Sequence, residues 1–304
     1  MPSRSATAPS SSSGSKVAQR VQSGVLHWYD IDSLDNRDPR LIDWAYRWIS
    51  GPVRRYFRAE VRGLEGIPSG PALFVGNHSS GIIAPDVLTF GAALYRAGGL
   101  ASLPYGLGHE VTISLPLVHQ LVVPWGAVRA SHQNAHRLFS RGEKVLVYPG
   151  GDLEAVRPYQ HRDRIVFGGR RGYVRLALRE RVPIIPVVTA GSHATFIVLH
   201  DGRFLARCLG MNRLLRLRVC PITLSIPWGL TVGPLLAYIP YPTRILTEVL
   251  EPIRFEPEGP EAASDAEHVR RCAARVEATM QSALERLARE RAAPRCPRLR
   301  SGGG

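Results

Sequence analysis

The chain has 304 residues, of which 44% are hydrophobic, and a formal net charge of +14 at pH 7. This share of apolar residues can form a substantial core, which excludes a wholly disordered protein. Among the 39 basic residues only Lys16 and Lys144 are lysines, so arginine carries the surplus charge. Arginine suits phosphate groups, and a basic surface attracts anionic lipid head groups or nucleic acid.

The two ends of the chain differ in composition from the rest. Residues 1–15 are rich in Ser, Ala and Pro and lack the apolar run of a secretory signal, and the last residues are glycines. We therefore predict a disordered leader over residues 1–35, one folded domain over 36–292 and a disordered tail over 293–304. The four cysteines have neither C-x-x-C nor zinc-ligand spacing, so we expect unpaired thiols in a reducing compartment.

A first amphipathic helix is predicted over residues 38–50, with Trp44 and Trp48 on its apolar stripe. A Gly-Pro pair ends it, and Arg54 and Arg55 follow. Two interpretations of this segment stay open. Either the tryptophans pack on the core, or the helix lies at a membrane interface, where aromatic rings and arginines are favoured.

The rest of the chain alternates short apolar strands with amphipathic helices. Strands are predicted at residues 72–75, 145–148, 184–188 and 245–250, and helices from 85, at 131–140, at 172–181 and from a capping box at 264–267. This order predicts an α/β fold with a largely parallel sheet flanked by helices, preceded by the N-terminal amphipathic helix. Arginines and prolines interrupt the apolar residues of 214–239, which favours a loop region that contacts lipid or lines an acyl tunnel over a spanning helix.

The most informative pattern is Phe-Val-Gly-Asn-His-Ser-Ser-Gly-Ile-Ile-Ala-Pro-Asp at residues 74–86. His78 directly follows a predicted strand, and open α/β sheets bind their ligands at the carboxyl ends of strands. Asp86 begins the next helix and is placed to fold back onto the Nδ1 proton of His78. That bond would leave Nε2 free as a general base, so we predict that the two side chains lie within hydrogen-bonding reach, either directly or through one bridging water.

Four blocks in this order resemble those of the glycerophospholipid acyltransferase family. The first is the Asn-His pair followed by Asp86. The usual gap is four residues, and the wider gap with a preceding proline resembles a bacterial branch related to diacylglycerol and monoacylglycerol acyltransferase-like proteins. The other blocks are Gly-Ala-Val-Arg at 126–129, Val-Leu-Val-Tyr-Pro-Gly-Gly at 145–151 and Val-Pro-Ile-Ile-Pro-Val-Val at 182–188.

The resemblance implies an O-acyltransferase. It would move a fatty acyl group from acyl-CoA or acyl-carrier protein to the hydroxyl of a glycerolipid or a long-chain alcohol, with His78 as general base. No metal or bound cofactor is expected. The second block places Arg129 among the acceptor-binding residues, and the expected surroundings are a lipid membrane surface on its cytoplasmic face.

The third block bears on the acceptor. Phosphate-acceptor enzymes have Glu-Gly-Thr-Arg there, so Pro-Gly-Gly favours a neutral acceptor. The backbone N–H groups of Gly150 and Gly151 either stabilise the oxyanion or belong to a tight turn that needs glycine. Glu154 and Arg157, on the same loop, either contact the acceptor head group or are solvated charges.

Three other interpretations stay open. The segment 77–81, Asn-His-Ser-Ser-Gly, comes close to the nucleophile elbow of a serine hydrolase or lipase-like enzyme, although an elbow needs glycine at position 77. His132 and His136 have the helical spacing of a zinc pair but lack its glutamate. A basic membrane-binding protein without catalysis is the third. Nucleic acid is not expected as a partner, because no helix-turn-helix, RNP or zinc-finger signature occurs.

Overall fold

The computed structural model of the chain describes residues 27–79, 81, 83–202, 204, 208, 220–233 and 238–293. The α-helices are α1 (Pro39–Trp48), α2 (Ser50–Tyr56), α3 (Pro85–Gly98), α4 (Glu110–Ile113), α5 (Pro116–Val122), α6 (His132–Ser140), α7 (Gly151–Ala155), α8 (Gly172–Glu180), α9 (Pro260–Ser264) and α10 (Ala266–Ala292). The strands are β1 (Glu60–Arg62), β2 (Ala72–Gly76), β3 (Tyr105–Gly108), β4 (Ala127–Arg129), β5 (Lys144–Val147), β6 (Ile184–Ala190), β7 (Ile197–His200), β8 (Ile222–Ser225), β9 (Gly229–Val232) and β10 (Leu246–Val249). Short 3-10 turns occur at Leu64–Gly66, Gly99–Ser102, Val123–Trp125, Tyr159–His161 and Ser192–Ala194.

Seven strands form the main sheet, in the order β1-β10-β6-β2-β5-β3-β4. The five strands from β6 to β4 run parallel to one another. Strand β10 is antiparallel to β6, and β1 is parallel to β10, so these two strands run opposite to the rest. The predicted α/β fold with a largely parallel sheet flanked by helices is confirmed.

Strand β2 lies at the centre of this sheet and is buried along its whole length. Leu73 and Val75 face the larger core cluster, which also contains buried residues of α6, α8 and α10. Ala72 and Phe74 face the smaller cluster, with residues of α1 and α3. Burial of each large apolar side chain contributes about 1.5–3 kcal/mol, so helices on both faces hold this strand, and the loop after it, in a fixed position.

The final helix begins one residue later than the capping box predicts. The Asp265 side chain accepts hydrogen bonds from the N–H groups of Glu267 (2.9 Å) and His268 (3.1 Å), and it is therefore the N-cap. Ser264 instead ends α9 and donates to Pro260 O at 2.8 Å, so the predicted cap was wrong. The predicted apolar face of α10 is buried: Val269, Cys272, Val276, Met280, Ala283 and Leu287.

The folded domain starts before residue 36. Leu34 is only 1% exposed and belongs to the larger core cluster, and the Tyr29 N–H donates to Nε2 of His119 at 2.8 Å. Residues 27–35 were therefore wrongly placed in the leader, because Leu34 packs in the core and Tyr29 is hydrogen-bonded to α5. The rest of the predicted leader and the tail after residue 293 lie outside the described residues.

Helix α1 exposes its tryptophans. Trp44 is 53% and Trp48 66% exposed, whereas Ile42 and Ala45 are buried against the sheet. The interpretation in which both tryptophans pack on the core is therefore wrong. Among the described residues, no helix combines the length and the apolar character needed to cross a bilayer. Of the apolar region 214–239, the described part forms β8 and β9.

Candidate active site

The site lies where β2 ends, at the edge of the sheet that also holds the carboxyl ends of β5 and β6. Asn77 continues the pairing of β2 with β6 through its side chain. Its Nδ2 donates to Thr189 O at 2.9 Å, and its Oδ1 accepts from the Thr189 N–H at 2.8 Å. An aspartate at position 77 would place a carboxylate oxygen against the Thr189 carbonyl, and the two acceptors would repel each other. The side-chain amide of Asn77 therefore holds the start of the loop that carries His78.

The surroundings of His78 select one tautomer of its ring. Nδ1 lies 2.8 Å from the carbonyl oxygen of Ser79. A carbonyl only accepts, so Nδ1 carries the proton and the neutral ring has its lone pair on Nε2. Burial lowers the pKa of His78 below 6.5, and the nearby Arg157 charge lowers it further. The imidazole is therefore neutral near pH 7, the form that a general base requires.

The direct form of the predicted contact between His78 and Asp86 is not formed, because the Ser79 carbonyl already accepts the Nδ1 proton. Asp86 nevertheless lies in the site, 3% exposed, in the first turn of α3. Burial raises its pKa from 3.8 to about 6, against the opposing effects of its own N–H, the Ser79 hydroxyl and the Val87 N–H. Asp86 Oδ1 and Ser79 Oγ are both buried, without a hydrogen bond of normal geometry among the described residues.

Glu154 and Arg157 form a buried ion pair below this loop. The exposed fractions of their side chains are 0% and 3%, and Arg157 Nη1 lies 3.2 Å from Glu154 Oε1. The Glu154 carboxylate also accepts from the N–H of His78 (2.9 Å) and of Val166 (3.0 Å). Burial raises the Glu154 pKa, and the Arg157 charge opposes that shift.

This pair corrects both interpretations of the loop charges. Glu154 and Arg157 are neither solvated nor open to an acceptor head group, because protein groups enclose them. They act as positioning residues: the carboxylate holds the His78 backbone, and the arginine charge favours the ionised form of that carboxylate against the effect of burial. The Arg157 carbonyl in turn lies 2.8 Å from Nε2 of His193. Burial lowers the pKa of His193 to about 3, so this second histidine is neutral.

The two glycines of the third block have different surroundings. Gly151 has φ +48° and donates its N–H to Tyr148 O at 3.1 Å, so it belongs to a tight turn and not to an oxyanion site. Gly150 has an ordinary φ of −64°, and a Cβ there would overlap the Glu154 side chain. No hydrogen bond from the Gly150 N–H is found in the described part of the chain. Of the two predicted oxyanion donors, only Gly150 stays a candidate.

Tyr148 is a site residue that the motif analysis quoted without giving it a role. Its ring centroid lies 5.2 Å from that of His78, with the two rings 61° apart. A Cβ on Gly76 would lie 2.5 Å from Cε1 of Tyr148, so glycine at this position makes room for the ring. Burial, with the neighbouring charges of Asp86 and Glu154, raises the Tyr148 pKa well above 10. The residue after an apolar strand at a sheet edge is the signal that could have identified it.

Arg129 binds the N-terminal segment of the chain. It ends β4, three strands away from β2, and its Nε lies 2.9 Å from Asp32 Oδ1. The hydrogen bond to Asp32 raises the Arg129 pKa. Asn134 Nδ2 also donates to Asp32, at 2.7 Å. The Asp32 carboxylate therefore occupies the guanidinium group of Arg129, and the expected contact between Arg129 and an acceptor finds no support.

The open alternatives receive little support from the geometry. Ser79 Oγ is buried, and the His78 ring contacts the Ser79 carbonyl instead of the hydroxyl, so Ser79 is not arranged as a nucleophile. His136 Nδ1 lies 2.8 Å from Glu180 Oε2 on an exposed helix face. Among the described residues, no group of three or more His, Cys, Asp and Glu is arranged to hold a metal ion.

Comparison with known proteins places these features in a family. Residues 58–190 match the family model described as Acyltransferase, a range that contains the Asn-His loop and the Glu154–Arg157 pair. This segment of the chain is therefore similar to the acyltransferase family. The resemblance that the four sequence blocks indicated is thus confirmed.

Individual proteins that are similar to this chain share between 16% and 30% sequence identity with it. The uncharacterized protein Rv0502 of Mycobacterium tuberculosis is 30% identical over 235 residues, which are 77% of this chain and 63% of that protein. The human DGAT1/2-independent enzyme synthesizing storage lipids is 27% identical over 200 residues, 66% of this chain and 55% of that protein. Among solved structures, the 1-acyl-sn-glycerophosphate (LPA) acyltransferase PlsC from Thermotoga maritima is similar with a TM-score of 0.46 and 16% identity, over 81% of this chain and 82% of that one. The chain spans less than two thirds of the length of these curated relatives.

Proposed function

We propose that this protein is an O-acyltransferase that moves a fatty acyl group from a thioester donor, acyl-CoA or acyl-carrier protein, to a lipid hydroxyl. The observation that carries the proposal is the His78 ring, which is neutral, has its Nδ1 proton on a carbonyl and keeps the Nε2 lone pair available. The match of residues 58–190 to the Acyltransferase family model supports the same class of reaction.

The proposed reaction needs one base and one donor for the oxyanion. Nε2 of His78 takes the proton of the acceptor hydroxyl while its oxygen attacks the thioester carbonyl. The carbon–sulfur bond then breaks, and the departing thiolate takes the proton back from the imidazolium. Such base catalysis contributes roughly 10²–10⁴-fold in rate. The Gly150 N–H is the candidate donor to the tetrahedral oxyanion, and no metal or bound cofactor takes part in any step.

The same site favours a neutral acceptor, such as a partial glyceride or a long-chain alcohol. A phosphate acceptor needs a cation that is accessible, and both arginines expected near the acceptor are engaged by carboxylates. Arg157 is buried on Glu154, and Arg129 binds Asp32. The name of the human relative, an enzyme synthesizing storage lipids, agrees with a neutral acceptor.

We place the protein at the cytoplasmic face of a membrane, where both substrates of this reaction are present. The exposed rings of Trp44 and Trp48 on α1, followed by Arg54 and Arg55 on α2, support this location. Aromatic rings prefer the head-group level of a bilayer, and each basic residue near an anionic surface adds about 1 kcal/mol.

A panel of substrates tests this function. Purified protein is incubated with labelled acyl-CoA or acyl-carrier protein and with monoacylglycerol, diacylglycerol, a long-chain alcohol or lysophosphatidate. The proposal expects a labelled neutral ester. A labelled phosphatidate would contradict the neutral acceptor, and free fatty acid alone from every mixture would instead support a hydrolase.

A further inference from the structure

The three strands β7, β8 and β9 form a second, antiparallel sheet beside the main one. In its register Leu224 pairs with Leu230, Ile222 with Val232 and Thr223 with Thr231. Paired residues share a face, because side chains alternate along a strand. Leu224, Leu230, Ile222 and Val232 therefore lie on one face, and the two threonines lie on the other.

The polar face of this sheet is buried and its apolar face is exposed, which is the reverse of the arrangement expected in water. Thr223 and Ser225 are buried, and Thr223 Oγ1 lies 2.7 Å from Thr231 Oγ1. The aliphatic side chains point outward: Leu230 is 64% and Val232 56% exposed. Leu224, Ile226, Trp228 at the turn, and Ile239 beside Ile226 are also exposed. Antiparallel sheets with one solvated face show the opposite pattern, apolar inside and polar outside.

Cationic residues border this face. The Tyr56 hydroxyl donates to Pro240 O at 2.8 Å, which joins α2 to the segment that leaves the sheet. Arg54 and Arg55 directly precede Tyr56 and are exposed on α2, and no carboxylate pairs with either among the described residues. Next to them, a cavity of about 440 Å³ is lined by arginines and their neighbours: Arg58, Pro242, Thr243, Arg244, Arg291 and Ala293.

The apolar face is also connected to the His78 loop. Ile239 pairs with Ile226 of the sheet, and the neighbouring Tyr238 accepts the Ile83 N–H on its hydroxyl at 3.0 Å. The Tyr238 ring packs on Phe196, with centroids 4.2 Å apart. Residue 83 belongs to the loop between His78 and α3, so the outward face of the sheet lies close to the candidate active site.

We infer that the outward face of β8 and β9, with Trp228 at its tip, inserts into the interfacial layer of an anionic phospholipid bilayer. Lipid is the occupant that suits both halves of the surface: acyl chains cover aliphatic side chains, and anionic head groups pair with arginines that lack a carboxylate. The inference rests on the membrane part of the proposed function and names the surface responsible, which differs from the tryptophan face of α1.

The experiment measures binding of the full chain to vesicles, without any acyl donor. The variant Leu230→Glu/Val232→Glu puts two charges on the outward face, and Ala278→Glu/Ala274→Glu adds the same charge to the exposed side of α10. With vesicles of phosphatidylcholine and phosphatidylserine at low salt, we expect the first variant to sediment at least about tenfold more weakly, because two aliphatic side chains leave the bilayer. The control should bind within about twofold of wild type.

Melting temperature and molar mass in solution make each outcome decisive. Equal vesicle binding by the Leu230 variant and wild type overturns the inference. A lower melting temperature with unchanged binding would show that another segment of the chain covers the face. A wild-type dimer that the variant turns into a monomer, with no vesicle binding by either, would show a protein interface. If the charged variant fails to fold, Leu230→Ser/Val232→Ser repeats the test. Acyl transfer to a detergent-dissolved acceptor is assayed separately, so failure of the proposed function is distinguishable.

Discussion

Replacing Asp86 by asparagine should stabilise the protein above pH 6. Burial raises the pKa of this carboxyl from 3.8 to about 6, so its ionised form is disfavoured in the folded state. An acid whose folded pKa lies above its unfolded pKa lowers the free energy of unfolding as the pH rises from 3.8 to about 6, because the folded state then binds more protons. A shift of about 2 units corresponds to about 3 kcal/mol, which Asp86→Asn removes at pH 8.

The assay is chemical denaturation of wild type and Asp86→Asn at pH 8 and pH 4. We expect the variant to be more stable at pH 8 by up to about 3 kcal/mol, and the difference to fall towards zero at pH 4. Asp265→Asn is the control. The N–H groups of His268 and Glu267 lower the Asp265 pKa, so its stabilising effect is present at pH 8 and is lost as the pH falls.

The reasoning would be refuted by an Asp86→Asn variant that is less stable than wild type at pH 8. In that case the carboxylate would stabilise the start of α3, as an acidic residue in a first helical turn often does. If the variant is more stable, the chain retains an ionised group at a cost in stability, and such groups concentrate at functional sites.

Further predictions concern the loop and its support. Glu154→Gln leaves Arg157 buried without its charged partner and should lower the free energy of unfolding by about 3–5 kcal/mol, measured by urea denaturation. The control Glu267→Gln affects an exposed pair of the same i,i+3 spacing and should change that free energy by less than about 1 kcal/mol. Gly76→Ala forces the Tyr148 ring to move, so it should lower the rate of acyl transfer and should lower stability by about 1–3 kcal/mol. The control Gly70→Ala has open space around its Cβ and should change neither the melting temperature nor the activity. The acidic limb of the pH profile of kcat/KM should have its midpoint below 6.5, because burial lowers the pKa of His78, and a midpoint above 6.5 would contradict that environment.

Local sequence patterns predicted much of the architecture. Strand β2 and helix α10 bury the residues that their periodicity indicated, because alternation and helical spacing directly encode which faces are apolar. The Asn-His pair was found at a strand end because the carboxyl edge of an α/β sheet is a general location for ligands. Errors at element ends were small: Asp265, rather than its neighbour Ser264, caps α10, and both residue types cap helices well.

The side-chain contacts of the site were beyond local patterns. Glu154 reaches a backbone N–H 76 positions earlier in the chain, and Arg129 binds a carboxylate 97 positions away. Such contacts depend on the packed fold, so spacing along the chain could not show that Glu154 is buried or that the Ser79 carbonyl replaces Asp86 at the His78 ring. Residues 222–232 were predicted to lie in a loop region, whereas the structure has strands β8 and β9 there, and which face these strands bury depends on what covers the sheet.

Acyl transfer by His78→Ala tests the central claim most directly. The variant removes the proposed base and leaves the backbone N–H that Glu154 accepts, so the loop should keep its position. His132→Ala, an exposed histidine at the start of α6, is the matched control. With labelled acyl-CoA and the acceptor that wild type uses, we expect a loss of about 10²–10⁴-fold in kcat for His78→Ala at unchanged melting temperature, and wild-type kcat for the control. A folded His78→Ala variant that transfers acyl groups at the wild-type rate would contradict the account.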